Sequence, residues 1–168
     1  MSTLSTTLSS AAVALAATFT MVSGAQAQQA QSQCGNRTAI IEQLTTEYGE
    51  TLQNVGINNE GAIVEQFANA ASGSWTYTIS PDGQISCVVA YGQRYLDLST
   101  EIPADDAGRV PQSVGRDQNG IIISTVADEN TGEWAVVALL PTGQLAPIVI
   151  GSGFIDTQKS PVITAPRP

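Results

Sequence analysis

The chain has no histidine. Ser–His and Cys–His nucleophile pairs are therefore excluded, and any general acid or base must be a carboxylate, lysine or tyrosine. Cysteine is nearly absent as well. Only Cys34 and Cys87 occur, far apart and without a Cys-x-x-Cys, which removes the usual zinc and dithiol redox patterns. Basic residues number 6 against 15 acidic ones, for a net charge of −9. Arg37, Arg94, Arg109, Arg116, Lys159 and Arg167 stand singly, so no cluster exists to neutralise nucleic-acid phosphates or an anionic membrane surface. Long apolar runs are missing too. The stretch from Ala11 to Val22 is shorter than the roughly 20 residues a membrane span needs, and Thr18 and Thr20 break it.

Residues 1–27 carry no charged side chain and end in Ala25-Gln26-Ala27, which reads as a secretory signal peptide cut before Gln28, although its first segment lacks Lys and Arg. The expected destination is periplasmic or secreted. In an oxidising compartment two cysteines have one pairing open to them, a Cys34–Cys87 disulfide. The net acidity reads as a device for solubility rather than as a cation site.

The pattern that is present is a duplication. Asn54-Val55-Gly56, Gly61, Ile63, Ala68, Gly73 and Trp75 recur 59 residues later as Ser113-Val114-Gly115, Gly120, Ile122, Ala127, Gly132 and Trp134. Pro81, Gly83, Gln84 and Val89 then recur with an offset of 60, as Pro141, Gly143, Gln144 and Val149. Each copy should be one supersecondary unit. In the first, Ser74–Ile79 alternates Trp75, Tyr77 and Ile79 against Thr76 and Thr78, the period of a half-buried strand, and Pro81-Asp82-Gly83 has turn chemistry. On the returning strand Ile85, Cys87, Val89 and Tyr91 should share the core face. In the second, Trp134–Leu140 is apolar on both faces, as a centrally buried strand would be, and Pro147 occupies the place of Cys87 at an expected sheet edge. Ahead of the first copy, Ile40, Ile41, Leu44 and Tyr48 fall on one face of a helix over about 38–48, with Asn36 as N-cap.

These signals predict an α+β fold: one N-terminal amphipathic helix packed on an antiparallel sheet made of two duplicated three-stranded β-meanders. The expected layout is signal peptide 1–27, helix plus first repeat with its disulfide 28–96, linker 97–112, second repeat 113–155 and a disordered tail 156–168.

Chemistry is harder to find. No acid pair stands out among Glu65, Asp82, Asp128 and Glu133. The Asp117-Gln118-Asn119-Gly120 segment places glycine too early for a calcium loop, with Asp128 where the closing glutamate belongs. No catalytic residue, metal ligand or cofactor is assigned. Trp75, Tyr77 and Trp134 are the candidate binding surface if exposed; the alternative is that the same slot in each copy faces one interior.

Cys34-Gly35-x-Arg37, Tyr48-Gly49-Glu50, Gly73-x-Trp75-Thr76, Pro81-Asp82-Gly83 and Cys87 together resemble a group of small secreted proteobacterial proteins with no assigned function. The resemblance covers about 34–92 and implies a secreted protein with a bridge between the two cysteines. It carries no catalytic residue across, and the second, cysteine-free copy departs from it. The functional expectation is a non-enzymatic exported module that binds another protein or an envelope component, with no nucleic acid and no membrane span in the mature chain. The alternatives are a secreted hydrolase inhibitor or a small carboxylate-dependent hydrolase.

Overall fold

A computed structural model describes residues 33–98, 108–128 and 130–159. The expected signal peptide, residues 28–32 after it, most of the expected linker and the end of the tail lie outside these residues. In chain order the elements are β1 (Gln33–Asn36), α1 (Arg37–Glu47), β2 (Thr51–Asn58), β3 (Ile63–Asn69), β4 (Ser74–Ser80), β5 (Ile85–Asp97), β6 (Val110–Asp117), β7 (Ile122–Ala127), β8 (Trp134–Leu139) and β9 (Leu145–Asp156).

The sheet closes on itself. Strands run in the order β5-β4-β3-β2-β9-β8-β7-β6, and β6 pairs back to β5, giving an eight-stranded antiparallel barrel with β1 added outside β5. The expected helix on a sheet of two three-stranded meanders is thus overturned: each repeat contributes four strands, and the core lies inside the barrel. The missed strands are β2 and β6, the latter beginning within the expected linker. They form the two seams. β5 meets β6 through Leu96 opposite Val114, and β9 meets β2 at the matching positions, Ile155 opposite Val55.

The two long strands make closure possible by serving one neighbour with each half. β5 pairs with β4 through Cys87–Gly92 and with β6 through Gly92–Asp97. At the change of partner Arg94 takes φ 61°, and the matching Gly153 takes φ 66°. Tyr95 N then donates to Gly73 O at 2.9 Å, and Phe154 N to Gly132 O at 3.2 Å, so each long strand hangs on the β3–β4 or β7–β8 turn. A left-handed residue in a strand is a bulge that bends it, which curling a sheet into a barrel requires.

The duplication holds a 59-residue offset through the strands, β9 included: Gly92 opposes Trp75 as Gly151 opposes Trp134, and Cys87 opposes Ile79 as Ala146 opposes Ala138. The slip to 60 is confined to the hairpin loop, where Pro-Asp-Gly-Gln and Pro-Thr-Gly-Gln sit one step apart. Ala146, not Pro147, therefore holds the place of Cys87. The expectation that Ile85, Cys87, Val89 and Tyr91 share the core face also fails. A bulge at Val89 sets Tyr91 opposite Thr76 on the outer face and leaves Cys87 opposite Ile79 on the inner one.

Helix α1 starts at the Asn36 cap, whose side chain accepts from Thr38 N and Ala39 N. It lies against the outside of the first repeat. Only Leu44 of its apolar positions is buried, and Tyr48 is half exposed. What ties the N-terminal unit down is the Cys34–Cys87 disulfide between directly opposed residues of β1 and β5, and Arg37, which forms a two-pronged ion pair with the buried Glu65 of β3.

Candidate functional site

The three aromatic residues proposed from sequence point into the barrel. Trp75 is 1% exposed, Tyr77 4% and Trp134 6%, and they share one core with Val64, Ala68, Ile123, Ala127 and Val136. They form no surface platform. The repeated slot faces the common interior, and each indole N–H is spent on a backbone carbonyl: Trp75 Nε1 donates to Gln93 O at 3.1 Å and Trp134 Nε1 to Ser152 O at 3.0 Å. Trp75 stacks edge-on against Tyr77, with ring centroids 5.6 Å apart.

Below the tryptophans the interior becomes polar. Asn54 Nδ2 donates to Gln66 Oε1 at 2.6 Å, Gln66 Nε2 donates to Ser113 Oγ at 2.9 Å, and the Tyr77 hydroxyl bonds that of Thr125. This chain of partners crosses from β2 and β3 to β6 and β7. Burial pushes the Tyr77 hydroxyl pKa up to about 12, with the Thr125 and Ser113 hydroxyls acting weakly in the other direction. A tyrosine so held is a structural hydrogen-bond partner, not a base at neutral pH.

The outer walls of the two repeats differ. On the first, Glu65 and Phe67 of β3, Thr76, Thr78 and Ser80 of β4 and Ser86 of β5 are all buried, so β3 and β4 are covered on both faces. The N-terminal β1–α1 unit supplies the cover, through Arg37 on Glu65 and through Asn69 Nδ2 donating to Tyr48 O at 3.0 Å. On the second repeat nothing among the described residues takes its place. Burial along β7 and β8 alternates, each interior residue followed by one left partly open.

The wall left bare is a grid set by the register. Ile122, Leu139 and Leu145 form one row; Ser124, Val137 and Pro147 the next; Val126, Ala135 and Ile150 the third. None carries a charge. Leu145 is 66% exposed, Ile150 50% and Leu139 36%. Ile148, pushed out by a β9 bulge, adds to the rim. With strands about 4.8 Å apart and same-face residues about 6.8 Å apart, the nine positions, eight of them apolar, cover about 300 Å² of sheet, on which Leu139, Leu145 and Ile150 are the large side chains most open to solvent.

The sequence expectation that β8 is buried on both faces is thereby corrected: it is central in its sheet, yet its outer side is open. The edge expected at Pro147 is found, since the first half of β9 pairs only with β8 among the described residues. The equivalent half of β5 is covered by β1.

No acidic or thiol cluster able to hold a metal through three or more Asp, Glu or Cys side chains occurs among the described residues. No helix in them is long and apolar enough to cross a membrane. No protein family, curated protein or solved structure matches the chain.

Proposed function

We propose that this chain is an exported, non-catalytic binding protein and that the bare wall of β7, β8 and β9 is where it docks a partner protein of its own compartment. The observation that carries this reading is the contrast between two walls of common origin. One is polar and shielded by β1 and α1; the other is apolar, uncharged and open. An apolar sheet face left in water would be expected to gather polar substitutions unless burial against something else rewards it. Docking there displaces water from the exposed Leu139, Leu145 and Ile150 side chains, at about 25 cal/mol for each Å² of apolar surface covered. The net acidity of the rest of the molecule keeps copies apart and leaves the neutral wall as the point of contact.

The test is affinity capture from periplasmic extract with the chain from Gln28 onward, run beside Leu139→Lys and Ile150→Lys. One stoichiometric partner should be retained by the parent chain and lost by both variants, while near-ultraviolet circular dichroism of the buried tryptophans stays unchanged. Capture that survives both substitutions, or no partner at high loading, contradicts the reading.

A further inference from the structure

The cover over the first repeat closes on groups that hold it poorly. Five buried side-chain atoms among the described residues have no hydrogen-bond partner: Glu50 Oε2, Thr78 Oγ1, Ser80 Oγ, Ser86 Oγ and Gln112 Oε1. Thr78, Ser80 and Ser86 stand on the wall under β1 and α1, and each is 0% exposed. Glu50 lies in the link between α1 and β2. A polar group buried without a partner is costly, so the closed position carries a penalty that opening relieves.

Little apolar burial offsets it. Leu44 is the one buried residue of α1. The cover is held instead by a few tethers: the Cys34–Cys87 bridge, the four-residue ladder of β1 on β5, Arg37 Nε donating to Glu65 Oε2 at 3.0 Å, and Asn69 Nδ2 donating to Tyr48 O. The bridge itself is within reach of solvent, with Cys34 exposed and Cys87 half-buried. By contrast β3, β4, β7 and β8 have a strand on either side and share the tryptophan core.

Opening has a defined consequence at β5. Bonding alternates along an antiparallel ladder, so Arg37 N donating to Gln84 O at 2.7 Å turns the N–H groups of Ser86 and Val88 to β1 as well. In the second repeat Pro147 stands at the place of Val88, and proline has no N–H. The open half of β9 is thus blunted by its own residue, while the matching half of β5 keeps its donors and is shielded by β1.

We propose that the β1–α1 unit is a cover that opens as one body from an intact barrel, with the Cys34–Cys87 bridge as its latch. While the bridge stands, Cys34 stays beside Cys87 and the cover recloses. A dithiol reductant releases it: the S–S bond breaks, both cysteines become thiols, and the dithiol that supplies the two electrons and two protons leaves as a disulfide. The unit then swings on the link between α1 and β2. The hydroxyls of Thr78, Ser80 and Ser86 meet water, and the first half of β5 becomes an open strand edge with its donors free.

The experiment is amide hydrogen exchange of the full chain, residue by residue, with the bridge intact and after reduction with dithiothreitol. Residues 41–47 of α1 should exchange together with Ser86 and Val88, on the order of tenfold faster than β3, β4, β7 and β8. Reduction should speed this group by about tenfold again and leave those four strands unchanged. Thr78→Val combined with Ser80→Ala, bridge intact, should slow the same group by about threefold, because apolar groups replace unpartnered hydroxyls. The cover is overturned by any of four results: α1 exchanging at the rate of β4 in both redox states, Ser86 and Val88 keeping pace with β4 and not with α1, the four barrel strands accelerating with α1 on reduction, or a double variant that leaves α1 exchange unmoved.

Discussion

A Cβ placed on Gly115 would lie 2.2 Å from Trp75 Nε1, and one placed on Gly56 would lie 2.4 Å from Trp134 Nε1. The tryptophan of each repeat thus fills the space over the glycine of the other, and the two repeats are interlocked through one reciprocal contact made twice. Neither four-stranded unit has its own core. The constraint on the glycines is one of space, because at neither position does the backbone require positive φ.

Gly56→Ala and Gly115→Ala should therefore each destabilise the protein by about 1–3 kcal/mol, the range for overpacking a well-filled core, and by similar amounts because the contacts are equivalent. Urea unfolding followed by tryptophan fluorescence measures this. A loss confined to one of the two would show that the exchange is not reciprocal.

Replacing both cysteines tests where the disulfide acts. It joins residues 53 apart and fastens β1, which lies outside the ring of eight paired strands. The Cys34→Ser, Cys87→Ser double variant should lose about 2–4 kcal/mol. Its near-ultraviolet dichroism should match the parent, because Trp75 and Trp134 are held by the seams and not by β1. A collapsed near-ultraviolet signal under native conditions would mean that the barrel depends on the bridge to close.

Glu50 provides a pH dependence with a definite sign. It is 2% exposed, and its Oε2 has no partner. Burial raises its pKa above the ordinary value of 4.5, with the Ser74 and Thr76 hydroxyls opposing. A raised carboxyl pKa means the fold prefers the protonated acid. Its contribution is fully favourable below the unfolded-state value and is lost as pH rises through the folded one. Glu50→Gln should hence be more stable than the parent at pH 7, with the gap closing as pH falls towards 4. Denaturant midpoints at both pH values decide it; a gap independent of pH, or a less stable variant at pH 7, contradicts the assignment.

How much of this was legible in the sequence follows from what each position faces. Gly61 and Gly120, Gly73 and Gly132, and Gly83 and Gly143 are all left-handed turn glycines, so the duplication and its hairpins could be read directly. β2 and β6 could not. Their inward positions hold Asn54, Gly56, Ser113 and Gly115, because the indole rings and the polar chain at Gln66 occupy the space that apolar side chains would otherwise fill. With no alternating apolar face, neither segment reads as a strand, although both carry part of the duplicated pattern, and without them the sheet has no way to close. The aromatic slot was recognised, and burial decides between its two readings. The bare wall was missed for the opposite reason: a strand apolar on both faces looks buried on both, and sequence alone does not tell that the cover built over the first repeat is absent from the second.

Closure is the claim on which the rest depends, and cross-strand Hα and amide nuclear Overhauser effects at the two seams test it most directly. Contacts are expected between Leu96 and Val114 and between Val55 and Ile155, with slow amide exchange along both seams. Absence of both sets, with β2 and β6 exchanging as open edges, would contradict the barrel and return the molecule to an open sheet.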